Sequence, residues 1–239
     1  ALWLLQCNEF PESAFNVNIK GTFNVMDLCI KNNVKKLVYS SSASVYGDAI
    51  TNPIKENHPF NNKNFYGATK IASEAMLKAY HYRYDLDFIG LRYMNVYGSR
   101  QDYKGAYIQV IMKMLDSIDN NKNIEIYGDG KESFDFVSVI DCAKANICAM
   151  KSTNKNIFLN VGTGKSTTLK KLAKTLLRIN KKKLDIKYIS RNKKYLLQVS
   201  KRVGSIKLAK KYIGFESAID LQEGLRDLVS WRKRHISFK

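Results

Sequence analysis

Residues 35–98 constrain the chain more than any other stretch. They read as a short β-rich run, "KKLVYSSS" (35–42), a helical segment, "NFYGATKIASEAMLKAYHYRY" (64–84), and a near-continuous apolar run, "LDFIGLRYMNVYG" (86–98). A strand that stays apolar at successive positions is covered on both faces, as in a parallel sheet with crossover helices. The helical segment carries Ala72, Ala75, Met76 and Ala79 on one side. Upstream, "PESAFNVNIKGTFNVMDLCIKN" (11–32) spaces Phe15, Ile19, Phe23, Met26 and Ile30 by threes and fours, predicting an amphipathic helix.

After "NVYGSRQD" the pattern changes. A helix "GAYIQVIMKMLDSI" (105–118), a strand "IEIYG", a turn "GDGKES", a helix "VSVIDCAKANICAM" and a strand "IFLNVGTG" lead into Lys-rich helices, ending in "DLQEGLRDLVSWRKR". The predicted class is α/β: an incomplete Rossmann-like parallel sheet with a smaller C-terminal α/β region. Residues 1–101 would form the first domain, with about 136–165 packing back onto it, and 102–239 the second.

With 239 residues, 45% hydrophobic and 26% charged, the chain suits a globular protein. The opening "ALWLLQC" has no basic segment ahead of it and does not read as a signal peptide. The net charge of +19 raises nucleic acid as a partner, but the excess is mostly Lys, concentrated in "RINKKKLDIKYISRNKK" (178–194) and "WRKRH", with no nucleic-acid-binding motif. Cys7, Cys29, Cys142 and Cys148 form no Cys-x-x-Cys pair and fit buried thiols in a reducing cytoplasm. His58, His81 and His235 have no ligand spacing, so no metal site is expected.

The chemistry lies where the first strand runs into serines. If "FYGATK" opens a helix, Tyr66 and Lys70 at i and i+4 share a face, and Ser42 stands at a strand's C-terminal end, where open α/β sheets bind ligands. A free phenol titrates near pH ~10, so a useful phenolate population at neutrality needs a shift of about three units, roughly 4 kcal/mol; a neighbouring cation supplies part of it. Tyr-x-x-x-Lys alone is a weak signal in a chain with 14 tyrosines, and the serines alone could simply end a strand. The order strand, serines, loop, Tyr-x-x-x-Lys helix, buried strand carries more weight.

In that order the chain resembles the extended short-chain dehydrogenase/reductases, the nucleotide-sugar epimerase/dehydratase family. The matching pieces are "VNIKGTFNV" (17–25), "SSSASVYGD" (40–48), "YGATK" (66–70), "LRYMNVYGSRQD" (91–102), "IYGDG" (126–130), "DFVSVIDCAKAN" (135–146) and "FLNVGTG" (158–164). The resemblance implies NAD as cofactor and a nucleotide sugar as substrate. It makes Tyr66 the acid/base, Lys70 its pKa-lowering partner and ribose ligand, and Ser42 the ligand of the substrate hydroxyl. Asn18, Ser40 and Tyr93 fall on the cofactor side, and Asn95, Val110, Tyr127 and Arg202 on the substrate side. For Tyr93 and Tyr127, ordinary aromatic packing explains the residues equally well. Helices 12–32 and 64–84 resemble the pair through which the family forms homodimers, although the same faces could serve the chain's own core.

Two departures stand out. No Gly-x-Gly-x-x-Gly turn is present, which implies that the pyrophosphate-binding unit normally preceding "ALW" is missing, leaving weak cofactor binding and an exposed sheet edge. Phe134 stands before "DF", where the family usually carries an Arg that contacts the substrate diphosphate; Arg202 or another basic residue would have to compensate. "VGTGKSTT" (161–168) imitates a phosphate loop, but Leu159 stands where that pattern needs Gly.

Within the family, the residues after Ser42 discriminate between reactions. Dehydratases resemble Thr-Asp-Glu there, decarboxylases keep a Glu and 3,5-epimerases a Cys, whereas this chain has Ala43 and Ser44. The resemblance is greatest to UDP-glucose 4-epimerases, which need only Ser, Tyr and Lys around NAD. The competing expectations are a nucleotide-sugar reductase or dehydratase, and a non-catalytic fragment or basic binding module.

Overall fold

The computed structural model describes residues 4–103, 109–190 and 200–235. The elements are α1 (Leu4–Glu9), α2 (Pro11–Ala14), a π-helix (Phe15–Lys20), α3 (Gly21–Lys31), β1 (Lys36–Ser42), a 3₁₀ turn (Ala43–Tyr46), α4 (Phe65–Tyr84), β2 (Asp87–Tyr93), β3 (Asn95–Tyr97), α5 (Val110–Asp119), β4 (Ile124–Tyr127), β5 (Ser133–Phe134), β6 (Phe136–Ser138), α6 (Val139–Lys151), β7 (Ile157–Val161), β8 (Thr167–Thr168), α7 (Leu169–Ile179), β9 (Ile186–Ile189), β10 (Lys201–Arg202), α8 (Lys207–Ile213) and α9 (Leu221–His235). The predicted α/β class holds.

The central sheet is parallel, in the order β1-β2-β7. Its register sets Ser42 beside Tyr93 and Tyr93 beside Val161, so the C-terminal ends of all three strands finish together. After β2, Met94 breaks the predicted continuous strand, and β3 pairs instead with β6. Smaller groups follow: β4 with β9, and β10-β5-β8. Helix α6, capped by Ser138 accepting from Ile140 N, joins Val137, Leu159 and Val161 in one apolar core with α8. A second core fills the space among α5, β4, α7 and α9, with Ile111, Leu115, Leu172, Leu225 and Leu228 at its centre. A third lies under α3 and α4: Met26, Cys29, Tyr39, Leu77, Leu86 and Phe88.

One sequence expectation needs correction. The segment 11–32 is not one regular helix, because a π-turn over Phe15–Lys20 interrupts it. The wider turn changes the rotation per residue. The buried positions are Ala14, Asn18, Met26 and Cys29, while Phe15 and Phe23 face outward beside Val17, Val25 and Leu28. On α4, Ala75 and Ala79 are exposed, and the helix buries Thr69, Lys70, Ser73, Glu74 and Leu77. That polar face is tolerated because its groups are bonded. The predicted helix 105–118 is present from Val110; its first residues lie outside the described ones. Cys7, Cys29 and Cys142 are buried, Cys148 is partly so, and all four are free thiols. Among the described residues no helix is long and apolar enough to cross a membrane.

Candidate active site at the C-terminal ends of β1 and β2

Strand β1 ends in Ser40, Ser41 and Ser42, which alternate in direction and therefore in duty. Ser41 turns inward and donates to Glu74 Oε1 (2.6 Å). Glu74 also receives a two-pronged bond from Arg92, Nε at 2.9 Å and Nη2 at 2.6 Å, and all three side chains are buried. The remaining Arg92 nitrogen donates to Tyr46 Oη (2.9 Å) and Glu56 O (2.8 Å), and Tyr46 donates onward to Asn160 Oδ1 (2.7 Å). These bonds tie α4 to β1, β2 and β7. A buried ion pair of this kind adds little net stability, but breaking it leaves a stranded charge, so it fixes geometry. The signal for it was Arg92 itself, a cation inside an apolar strand, which required a partner that sequence spacing did not identify.

Asn64 caps α4 by accepting from Gly67 N (2.8 Å), which places Tyr66 and Lys70 in the first two turns beside the strand end. Lys70 is buried and donates to the carbonyl of Ser40 (2.9 Å), with its Nζ 5.8 Å from the centre of the Tyr66 ring. Burial pulls the Lys70 ammonium below its ordinary value. Burial pushes the Tyr66 phenol up; the Ser42 hydroxyl, by its hydrogen bond, and the Arg202 guanidinium, by its charge, act in the opposite direction. The Arg202 charge thus joins Lys70, expected from the i, i+4 spacing, among the cations near this phenol. Ser42 also accepts from Ser44 N (3.1 Å) across the 3₁₀ turn, which orients its hydroxyl.

Tyr93 Oη lies 3.4 Å from Ser40 Oγ and accepts from Asn146 Nδ2 (2.7 Å) on α6. Asn18, carried inward by the π-turn, donates to Thr69 Oγ1 (3.2 Å) and to Cys7 Sγ (3.5 Å), and so abuts the Tyr66–Lys70 turn from behind. Thr69, Cys7 and Asn146 were not anticipated, because nothing in their local sequence marks them. Ser40, Ser42, Tyr66, Lys70, Tyr93 and Asn18 thus form one connected group. The expected substrate-side residues are more scattered. Asn95 opens β3, partly buried, its amide donating to Asp135 O (2.9 Å). Val110 begins α5 at the margin of the second core. Tyr127 is exposed at the end of β4. Arg202 is buried on β10, directly opposite Phe134 of β5.

Residues 5–162 match the model of the NAD dependent epimerase/dehydratase family. The chain belongs to that family. Its members are enzymes and its cofactor is NAD. A Thermodesulfobacterium geofontis UDP-glucuronate 4-epimerase is 32% identical over 232 residues, 95% of this chain and 68% of that protein. Among solved structures, the UDP-N-acetylglucosamine 4-epimerase of Methanobrevibacter ruminantium M1 superposes with a TM-score of 0.92 at 33% identity, covering 98% of this chain and 74% of that one. The UDP-glucose 4-epimerase of Thermotoga maritima gives 0.91 at 30% identity, covering 97% and 74%. These three epimerases of the family carry the names of three different sugars.

Proposed function

We propose that the protein is a nucleotide-sugar 4-epimerase of the UDP-glucose/UDP-galactose type, with Tyr66 as acid/base and Ser42 and Lys70 as its partners. The observation that carries this reading is Ser42 at a strand end, its hydroxyl favouring the Tyr66 phenolate, followed by buried Ala43 and Ser44. The turn after the serine therefore contributes no carboxyl group for eliminating water. What remains there is equipment for moving a single proton.

NAD, when bound, supplies hydride removal from the sugar's C4 and its return to the other face, with no net oxidation. Several observations support a fit to its nicotinamide–ribose end. Lys70 has three N–H donors, of which one is committed to Ser40 O, and Ser40 and Tyr93 stand beside it at the sheet edge. Asn18 braces this group through Thr69. Tyr66 Oη takes the 4-hydroxyl proton and later returns it, while Ser42 Oγ holds the same hydroxyl in line. Asn95, Val110, Tyr127 and Arg202 are the proposed substrate side. The region 102–239 is its proposed domain, against 1–101 with 136–165 for the cofactor.

The reading extends to assembly. The outward face of the 11–32 segment presents Phe15, Phe23 and Leu28, an apolar stripe suited to a second copy packed together with α4. A mass of one subunit by light scattering would remove the dimer.

The test of the function is isomerisation of UDP-glucose with Tyr66→Phe as control. Interconversion without net absorbance change at 340 nm is expected, and stoichiometric reduction of NAD would instead indicate a dehydrogenase. Because the reactive form is the phenolate and burial raises its pKa, activity should be lost as pH falls through that pKa and recover above it.

A further inference from the structure

Helix α7 breaks a charge rule that two of its neighbours keep. Acidic groups suit the first turn of a helix and basic groups the last, because of the helix dipole. Helices α6 and α9 obey, with Asp141 and Glu223 in their first turns and Lys151 and Lys233 in their last. Helix α7 carries no acidic residue at all, and Lys170 and Lys171 occupy its first turn. Lys170, Lys174 and Arg178 follow one another at i, i+4 spacing, with Lys171 three residues before Lys174, so like charges repel along one exposed face. The opposite face is ordinary core, with Leu172, Ala173 and Leu176 buried. None of these four cations, nor Lys165 just ahead of the helix, has an ion pair or a side-chain hydrogen bond among the described residues. Local inconsistency of this kind is the mark of a functional site.

Beside that face lies a cavity of about 350 Å³, walled by the 163–167 loop, α7 and the segment 217–222. The volume is within the ordinary range of small-molecule sites. Lys165 lines it from the loop and Lys171 and Arg178 from the helix, while Asp220 is the one carboxylate on its wall. A second hollow continues along α7 past Lys170 and Lys174. The loop belongs to the stretch "VGTGKSTT" that imitates a phosphate loop. Its first donors are already taken: Thr163 N (2.8 Å), Thr163 Oγ1 (2.6 Å) and Gly164 N (2.9 Å) all donate to the buried carboxylate of Asp135. An internal anion thus fills that turn, and a ligand in the neighbouring cavity is left to the side chains. No residue of the group around Tyr66 lines the cavity, nor do Asn95, Val110, Tyr127 and Arg202.

We propose that this cavity is a second anion site, which takes a phosphate-bearing small molecule on Lys165, Lys171 and Arg178, apart from the candidate active site. Three cations against one carboxylate call for a ligand with more than one negative charge. A phosphomonoester carries roughly 1.5 to 2 at neutral pH, and its oxygens match the guanidinium fork. Bound there, it offsets the repulsion along the face of α7. The inference stands independently of the sugar and of the epimerase reading.

The test is calorimetric titration of the whole chain with inorganic pyrophosphate, for the wild type, K171Q/R178Q and, as a control with the same change of charge, K144Q/K151Q on α6. All four positions are exposed, and glutamine keeps the helix propensity of the residues it replaces. K171Q/R178Q should bind about 10-fold more weakly or worse, and the control as tightly as the wild type. An equal loss in both double variants reports attraction by the net charge alone and overturns the site. Unchanged affinity of K171Q/R178Q overturns it too, since pyrophosphate then binds elsewhere, as does a wild type that takes up none at about 1 mM. Should K171Q/R178Q not fold, R178Q alone decides: weaker binding than the wild type's supports the site, and equal binding overturns it. Failure of this site leaves the proposed epimerase untouched.

Discussion

Helices α4 and α5 are both packed against strands, yet they bury opposite kinds of residue. Helix α5 turns Ile111, Met112, Met114, Leu115 and Ile118 into the second core, a continuous apolar face that holds by exclusion of water. Helix α4 turns Thr69, Lys70, Ser73 and Glu74 inward with Leu77, leaving Ala75 and Ala79 outside. The first arrangement is insensitive to the exact placement of any one atom. The second depends on paired groups: Glu74 with Arg92 and Ser41, Lys70 with the carbonyl of Ser40, Ser73 with Thr69 O. Polar burial is costly unless every group is matched, and matching fixes distances. The helix that carries the proposed acid/base is therefore the one held by directional bonds.

This contrast can be broken from either side. The largest effect should come from Tyr66→Phe, which leaves packing untouched and removes the proton carrier: kcat should fall by about 10²- to 10⁴-fold with thermal stability retained. A mutant as active as the wild type would show that the polar face of α4 is structural only. Next comes Glu74→Ala, which strands the Arg92 charge and should cost roughly 3–5 kcal/mol in urea unfolding, against a much smaller deficit for the double replacement E74L/R92M. If the double variant is as unstable as the single one, the pair is contributing more than geometry. In the other region, Leu115→Ala should cost about 2–5 kcal/mol by leaving a cavity, while the activity per folded molecule stays unchanged. A specific loss of activity there would show that the two regions are coupled. The smallest effect is expected for Asn64→Ala, about 1 kcal/mol from losing the cap on α4, read as a lowered melting temperature.

The sequence by itself determined the alternating elements, the parallel sheet and the group Ser42, Tyr66 and Lys70. Those follow from short-range rules: an apolar run of strand length, a serine terminus, two residues one helical turn apart. It did not determine which side of a helix faces in. At Phe15–Lys20 a π-turn altered the rotation that a regular helix assumes, and Asn18 went inside while Phe15 and Phe23 went out. On α4 the buried partners were contributed by Arg92 and Ser41 on neighbouring strands, and pairing across elements leaves no periodic trace in the helix itself. The same limit governs Arg202. Its position in sequence lies far from Phe134, and the parallel register of β10 with β5 sets the two directly opposite each other. Local pattern fixes what each segment becomes. Long-range pairing, through charges and hydrogen bonds that are satisfied only once the elements have met, decides which side chains share the site.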